Sequence, residues 1–193
     1  STPIVRVPWL EPGIIGRVLD AGALGVVIPM VNSRAEAEAA VAACRYAPAG
    51  ARSFGPVRAG MAWGADYFAT ANDEIACIPM IETKTAVENL ESILDVKGIA
   101  GVYIGPSDLG FSYGLHPTLD RTEPEIIAIY EKIVKECGKR KLHAGIHCSG
   151  AEGAVRAINM GFKLVTLSNE SGLMMTYAKM QVNQTRKDSG GKA

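Results

Sequence analysis

Short runs of β-branched residues alternate along this chain with Ala-rich stretches whose apolar residues recur at helical spacing. Such alternation predicts repeated βα units, in which each helix crosses over a parallel sheet. We count six units. The predicted strands cover 4–7, 25–30, 77–82, 101–105, 143–148 and 164–167, and the helices that follow them cover 12–21, 34–46, 85–94, 123–140, 151–160 and 172–186.

Two of these helices begin with a pattern that favours capping. Ser33 and Thr122 each precede a predicted helix and are followed three residues later by Glu36 and Glu125. A Ser or Thr side chain and a Glu three positions on can satisfy the first free N–H groups of a helix reciprocally. We therefore expect a capping box at both positions.

The number of units bears on the fold. An eight-unit barrel closes on itself, whereas six units of parallel sheet leave two apolar edges exposed. We therefore predict an α/β fold, a (β/α)8 TIM barrel whose two N-terminal strands are absent from this chain. The alternative is a doubly wound sheet of six strands. We assign residues 1–187 to a single domain and expect a disordered tail over 188–193.

Two further stretches fit this interpretation. The chain begins Ser-Thr-Pro-Ile-Val-Arg, without an initiator Met or a signal peptide, which indicates a fragment or a processed form. The one long connection, 47–75, is rich in Gly, Arg and aromatic residues, with a possible short helix over 67–72. Long loops in compact domains are more often functional than idle. We expect an active-site or subunit-contact role there, with plain connection as the alternative.

Glu82 and Asp108 are the strongest candidates for chemistry. Each lies where a predicted strand ends, and the two strands are consecutive. Neighbouring parallel strands are about 4.8 Å apart, so the two carboxylates can reach one ion. Paired carboxylates without a cation repel each other, whereas an all-oxygen pair suits Mg2+ or Mn2+. The alternative is that each acid only caps a helix or a turn.

Arg6 lies in an apolar strand, where a cation is costly unless an anion meets it. Its guanidinium is predicted to address a substrate carboxylate or a developing oxyanion, with a structural salt bridge as the alternative. The turn that follows the fourth strand presents successive N–H groups that can bind a carboxylate. This turn consists of Gly105, Pro106, Ser107 and Asp108.

The histidines and lysines are weaker candidates for metal binding or catalysis. His143 and His147 do not form a zinc pair, because residues four apart on a strand are about 13 Å apart. We predict that both line the barrel or are structural. Lys84 is the nearest candidate for a Schiff base, and we expect it to begin a helix instead.

The composition narrows the function classes. Lys and Arg number 20 and Asp and Glu number 20, so no net charge draws the chain to nucleic acid or to an anionic membrane. Apolar residues make up 48% of the chain, yet no run reaches the roughly 20 residues of a membrane span. The four cysteines form no CxxC pair, which favours a reduced, cytoplasmic location.

The strands, the turn after the fourth strand and several loop segments described above, taken in order, resemble the HpcH/HpaI aldolase family over nearly the whole chain. The most specific match is the pair Glu82 and Asp108, which are 108 − 82 = 26 residues apart within the expected strings. The matching segments are 4–8, 18–22, 27–31, 45–50, 52–53, 67, 71–72, 81–83, 105–109 and 161–162.

The resemblance implies a barrel of the phosphoenolpyruvate/pyruvate-binding type and a class II aldolase. Such a lyase cleaves a 4-hydroxy-2-oxo acid to pyruvate and an aldehyde through a metal-bound pyruvate enolate. In the family, the acids that match Glu82 and Asp108 bind the divalent metal. The Arg that matches Arg6 stabilises the enolate or alkoxide oxygen, and the N–H groups that match Ser107 and Asp108 hold the pyruvate carboxylate. The Asp that matches Asp20 supports a catalytic His across a subunit contact, which implies a homo-oligomer, a trimer or a hexamer.

Three departures limit what the resemblance transfers. No His precedes Arg6, so the general base is not accounted for by these residues. Met80 stands where many relatives have Gln. Residues 167–173 differ from the Asp-containing segment that relatives commonly have beside the substrate. Three alternatives stay open. They are an oxaloacetate decarboxylase or macrophomate-synthase-like enzyme, a CoA-ester lyase of the citrate-lyase β type, and an inactive barrel that serves as an assembly subunit.

Overall fold

The computed structural model describes residues 2–191, whose six strands form one parallel sheet in sequential order. Each strand pairs with the next one along the chain. A doubly wound sheet reverses its strand order at a switch point, so this order excludes that alternative for the described strands. The strands are β1 Ile4–Arg6, β2 Gly25–Ile28, β3 Ala76–Ile81, β4 Gly101–Ile104, β5 His143–Cys148 and β6 Leu164–Leu167.

The sheet is curled rather than flat. One cavity is bordered by Arg6 of β1 and by Thr166 of β6, although these strands are the two edges of the sheet. Side chains from the two edge strands can line the same cavity only if the strands between them curve around it. The six strands therefore form part of a barrel, as predicted, and closure by further strands stays a prediction.

Helices cover the outer face of this arc. Between the strands run the crossover helices, and two short helices occupy the long connection between β2 and β3. The helices are α1 Pro12–Asp20, α2 Arg34–Cys44, α3 Val57–Trp63, α4 Tyr67–Glu74, α5 Lys84–Glu88, α6 Leu90–Leu94, α7 Pro106–Ser112, α8 Pro124–Lys139, α9 Ala151–Met160 and α10 Glu170–Asp188.

Two apolar cores follow from the alternation of side chains along each strand. The larger core lies between the sheet and the helices, where Val26 and Ile28 of β2 meet residues such as Leu19 of α1. The smaller core fills the inside of the arc with Val27, Ile78, Met80 and Tyr103. Because successive strand residues point to opposite faces, Val26 and Val27 belong to different cores. The inner core is the floor on which the candidate site stands.

The predicted boundaries hold best for β5, β6 and α9, which match to the residue. The helix predicted over 85–94 is instead two helices, α5 and α6, which meet at Asn89 with φ −92° and ψ 8°. Neither α3 nor α7 was predicted, since both are short and begin at or directly after a Gly-Pro dipeptide, which favours a turn.

One of the two predicted capping boxes is wrong. Ser33 accepts a hydrogen bond from the N–H of Glu36, as expected for the cap of α2, while the carboxylate of Glu36 accepts the N–H of Asn32 instead of that of Ser33. Thr122 does not cap α8, which begins one residue later than the pattern requires, with Glu123 as cap and Pro124 as its first residue. The carboxylate of Glu123 is engaged by Arg121 instead. The Pro124 ring, whose φ suits a first helical turn, sets this start.

The last helix, α10, contains no buried residue. Its exposed apolar side chains are Leu173, Met174, Met175, Tyr177, Met180 and Val182. Within residues 2–191, no helix combines the length and the apolar character that a membrane span requires. Of the tail predicted to be disordered, Lys192 and Ala193 lie outside the described residues, and the division into one domain and a tail stays a prediction.

Two glycines give a matched test of how tightly the sheet is packed. A Cβ on Gly101 would lie 2.0 Å from the carbonyl oxygen of His143 on the neighbouring strand, whereas a Cβ on Gly138 of α8 meets nothing within 4 Å. We expect Gly101→Ala to lower the free energy of unfolding by roughly 1–3 kcal/mol or to prevent folding. Gly138→Ala should raise it by about 0.5–1 kcal/mol, since Ala has the higher helix propensity.

Urea unfolding of the full-length protein, followed by circular dichroism, measures both changes. A Gly101→Ala variant as stable as the parent protein would show that β4 and β5 separate easily, contrary to the packing described.

Candidate active site

Glu82 follows β3 directly and is only 1% exposed. One carboxylate oxygen, Oε1, accepts a hydrogen bond of 2.8 Å from the N–H of Met30 at the end of β2. Met30 adopts a left-handed backbone with φ 57°, which is costly for a residue with a side chain. The other oxygen, Oε2, is buried and has no hydrogen-bond partner among the described residues. The protein thus fixes one oxygen of this carboxylate and leaves the second open.

Gly105 provides the space in which this open oxygen, Oε2 of Glu82, lies. A Cβ at position 105 would lie 2.2 Å from Oε2 of Glu82, so the carboxylate leans across the glycine on the next strand. Gly105 is also the cap of α7, whose first turn carries the exposed Asp108. Glu82 and Asp108 thus border the same cavity, and the charge of Asp108 acts on Glu82, while their binding of one shared ion stays a prediction.

Neither acid is a helix cap. Thr83 caps α5, with its hydroxyl accepting the N–H of Ala86 at 3.0 Å. Asp108 lies inside α7 rather than at its cap. The alternative that Glu82 and Asp108 serve only as caps is therefore excluded.

The surroundings of Glu82 make its negative charge unfavourable without a cation. Burial raises the pKa of this carboxyl above its ordinary value, the Met30 N–H opposes the rise, and the charge of Asp108 adds to it. Arg6 acts in the opposite direction, but more weakly. A divalent cation between the two acids would favour the ionised form of both.

All the predicted site residues except Asp20 line one cavity of about 570 Å³ on the inner side of the sheet. Its size lies within the range of small-molecule sites. Met80 and Tyr103 form its floor, and residues after β6 form part of its rim. The predicted residues that border it are Arg6, Glu82, Gly105, Pro106, Ser107 and Asp108.

The donor set suits a hard divalent cation. Within residues 2–191, no group of three or more His, Cys, Asp or Glu side chains could hold a metal. Two carboxylates are nevertheless sufficient for Mg2+, which usually keeps several waters and takes further oxygens from the substrate. The buried, unpartnered Oε2 of Glu82 is the observation that fits such an ion.

Arg6 ends β1 and borders the cavity. Its backbone lies beside Val27 of β2, which in turn lies beside Ile78 of β3. Among the described residues, its guanidinium takes part in none of the ion pairs. The alternative of a structural salt bridge therefore has no support within this part of the chain.

Arg121 holds the turn that carries Asp108, a role that was not predicted. Its side chain is 1% exposed and donates hydrogen bonds to the carbonyl oxygens of Pro106 at 3.1 Å and His116 at 2.6 Å. The guanidinium lies against Gly110, where a Cβ would be 1.8 Å from it. The sequence signal was a charged residue in a polar loop, which does not reveal a contact 15 residues away.

Asp20 lies outside this cavity. It pairs with Arg52 at 2.7 Å and borders a separate cavity between α1 and α2. The guanidinium of Arg52 lies over the ring of Tyr46, 4.4 Å from its centroid, and donates to the hydroxyl of Tyr67 at 3.2 Å. Residues of the long connection thus anchor this pair, and the catalytic role of Asp20 across a subunit contact stays a prediction.

The two histidines of β5 lie at different ends of the strand. His143 borders a cavity at the amino-terminal end of the sheet, and His147 borders the candidate site. This separation agrees with the expectation that they form no zinc pair. Both histidines border cavities, and the expectation that they line the barrel or are structural stays a prediction. The polar contacts of His147 were not foreseen. Its Nδ1 lies 2.7 Å from the hydroxyl oxygen of Thr166, which in turn contacts the hydroxyl of Tyr103.

Known proteins resemble this chain in sequence and in fold. The chain is 36% identical over 186 residues to a hydroxypyruvate/pyruvate aldolase of Rhizorhabdus wittichii, a match that covers 96% of this chain and 74% of that protein. It is 38% identical over 177 residues to a 4-hydroxy-2-oxo-heptane-1,7-dioate aldolase of Salmonella paratyphi B, covering 90% of this chain and 66% of that protein.

A solved structure gives the same result for the fold. An HpcH/HpaI aldolase/citrate lyase family protein from Burkholderia cenocepacia superposes with a TM-score of 0.86 at 26% identity. The superposition covers 96% of this chain and 74% of that one. The chain thus spans about two thirds to three quarters of the length of these relatives.

The family model described as HpcH/HpaI aldolase/citrate lyase matches residues 1–190. The resemblance found in the sequence is thereby confirmed, together with the prediction of an enzyme of the lyase class. This chain belongs to the HpcH/HpaI aldolase/citrate lyase family.

Proposed function

We propose that this protein is a divalent-metal-dependent aldolase, which cleaves a 4-hydroxy-2-oxo acid to pyruvate and an aldehyde. The observation that carries the proposal is the buried carboxylate of Glu82. One of its oxygens is fixed by Met30, and the other is open over Gly105 on the side of Asp108. The relatives named as aldolases of pyruvate, hydroxypyruvate and a 4-hydroxy-2-oxo diacid support the substrate class.

Glu82 and Asp108 would hold the cation, for which we propose Mg2+ or Mn2+ because every protein donor is a carboxylate oxygen. When bound, such an ion supplies Lewis-acid stabilisation of the negative charge that develops on the 2-oxo acid. Glu82 contributes a donor whose direction is set before binding by the Met30 N–H. Little reorganisation is then needed when substrate arrives, which is the condition for strong electrostatic stabilisation.

Arg6 and the turn of residues 105–108 would bind the organic substrate. The guanidinium of Arg6 carries a positive charge without an ion-pair partner among the described residues and borders the same cavity. It would stabilise the oxygen that becomes negative as the carbon–carbon bond breaks. The N–H groups of Ser107 and Asp108 would hold the carboxylate of pyruvate, in a turn that Arg121 fixes through Pro106.

The assembly and the location are also proposed. We infer a homo-oligomer, a trimer or a hexamer, supported by the exposed apolar side chains of α10 and by the position of Asp20 outside the cavity. A cytoplasmic location is supported by the four cysteines, all of which are buried and unpaired.

The first prediction concerns Glu82→Gln. The amide oxygen can still accept the Met30 N–H, but an NH2 group then stands where the open oxygen was, and it cannot bind a cation. We expect Mn2+ affinity to fall on the order of 100-fold or more, because each lost ligand charge weakens such sites strongly. Pyruvate release should be abolished, while the melting temperature without metal should not fall. Asp108→Asn should lose metal affinity in the same way.

Titration calorimetry with Mn2+ and a pyruvate-release assay measure these effects in the full-length protein, with oxaloacetate as a second substrate. Asp95→Asn is the matched control, since Asp95 is an exposed acid whose partner is Arg140. Unchanged Mn2+ affinity in Glu82→Gln would remove Glu82 from the metal site.

The second prediction concerns Arg6→Lys, which keeps the charge but removes the planar fork of the guanidinium. We expect kcat to fall by about 10²- to 10³-fold, as for the loss of one oxyanion donor, with little change in metal affinity. The melting temperature should stay the same, because Arg6 makes no ion pair among the described residues. Steady-state kinetics and thermal unfolding of one preparation give both values.

Arg34→Lys serves as the control for this change, because Arg34 pairs with Glu38 on the surface of α2. If Arg6→Lys retained kcat and lost melting temperature, Arg6 would be a structural residue and not part of the chemistry.

A further inference from the structure

Asn32 joins the segment that follows β2 to the segment that follows β3. Its side-chain nitrogen donates a hydrogen bond of 2.9 Å to the carbonyl oxygen of Met30. Its side-chain oxygen accepts the hydroxyl proton of Thr83, the residue that follows Glu82. One half-buried side chain thus contacts both the residue that donates to Glu82 and the residue next to Glu82 in the chain.

The orientation of the Asn32 amide follows from its partners. A backbone carbonyl can only accept a hydrogen bond, so the group that faces Met30 has to be the NH2 group. The amide oxygen then faces Thr83, whose hydroxyl donates to it and also accepts the N–H of Ala86 at 3.0 Å as the cap of α5. Exchange of the two amide atoms would place two oxygens against each other at Met30. The amide therefore has one orientation in which both of its ends are satisfied.

The backbone of Asn32 is anchored as well. Its N–H donates to the carboxylate of Glu36 in the first turn of α2 at 2.6 Å, and its carbonyl oxygen accepts the side-chain N–H of Asn89 at 2.8 Å. Asn89 lies where α5 meets α6. All four polar groups of Asn32 therefore have partners, which come from α2, from the two ends of α5 and from Met30. A residue held in this way can support a neighbour in an unfavourable conformation.

Met30 is the neighbour that needs support. Its φ of 57° lies in the left-handed region, where a residue with a Cβ is strained, and such a conformation persists only where its surroundings hold it. Glu82 binds the N–H of Met30 and Asn32 binds its carbonyl oxygen, so two side chains hold the backbone on either side of its Cα. Relaxation of Met30 to another backbone region would redirect the chain after β2 and disturb the bond to Glu82.

We propose that Asn32 is a positioning residue for the cation site. It holds Met30 in the left-handed conformation, Met30 holds Oε1 of Glu82, and Oε2 thereby stays directed over Gly105. Asn32 itself is not one of the residues that line the cavity. The inference rests on the proposed function and deepens it, because it assigns the preorganisation of a metal ligand to a residue that touches neither the cation nor the substrate.

The test measures Mn2+ affinity by titration calorimetry in the full-length protein and needs no turnover. Asn32→Ala removes both side-chain contacts and should lower the affinity about 10-fold, the effect of losing one hydrogen bond that orients a charged group. Asn72→Ala is the matched control, because the Asn72 amide also makes paired contacts, with the N–H and the carbonyl oxygen of Tyr46. Asn72→Ala should lower the melting temperature and leave the Mn2+ affinity unchanged.

A second substitution distinguishes positioning from a general loss of order. Glycine adopts the left-handed region without strain, so a glycine at position 30 does not need the support of Asn32. We therefore expect Met30→Gly to restore most of the Mn2+ affinity when it is combined with Asn32→Ala. A loss of affinity that came from general loosening of the fold would not be repaired by a glycine.

Asn32→Gln replaces the alanine variant if circular dichroism shows that Asn32→Ala does not fold. It keeps the amide but moves it by one methylene, so it cannot reach Met30 and Thr83 together. Unchanged Mn2+ affinity in the folded variant, or a loss that Met30→Gly does not restore, overturns the inference. If Glu82→Gln still lowers the affinity in that case, the metal site stands without it. A parent protein that binds no Mn2+ overturns both the proposed function and the inference.

Discussion

The arrangement of this site depends on one buried carboxylate that is only half satisfied. Removing a charge from water costs several kcal/mol unless other charges or hydrogen bonds replace the lost solvation. The Met30 N–H satisfies one oxygen of Glu82 and no described side chain satisfies the other. The neighbouring acid Asp108 adds negative charge to the same space and raises the pKa of Glu82 further. The proposed divalent cation would balance both charges and give the open oxygen a partner.

Glycines decide where the side chains of the inner layer can go. Glu82 leans across Gly105, and Tyr103 leans across Gly145, each towards the strand that follows. In both cases the missing Cβ is what allows a long side chain to reach its neighbour's position. The two glycines therefore play the same steric role in different places. Gly105 leaves room for the open oxygen of Glu82, and Gly145 lets the Tyr103 hydroxyl reach Thr166 beside the imidazole of His147.

The sequence predicted the order and kind of the elements because each strand is marked by β-branched residues and each long helix by helical spacing. It also predicted that Glu82 and Asp108 approach one another, since both end consecutive strands. It could not predict the cluster of Tyr103, His147 and Thr166, whose contacts join residues 44 and 63 positions apart. Such contacts depend on strand register and on side chains leaning over glycines. The start of α8 was misjudged for a local reason, because Pro124 outweighed the capping pattern at Thr122.

Three arginines, two of them buried and one at the cavity, show how position separates a structural role from a proposed functional one. Arg52 and Arg121 have side chains that are 0% and 1% exposed, and each meets a carboxylate, Asp20 and Glu123 respectively. Their charges are thereby used within the fold. The hydrogen bond of Arg52 to Tyr67 anchors the long connection, and that of Arg121 to Pro106 fixes the turn at the cavity. Arg6 makes no ion pair among the described residues and borders the cavity itself. A guanidinium without an ion-pair partner at the cavity is available to an anionic substrate, and the cation proposed for Glu82 and Asp108 would attract the same substrate.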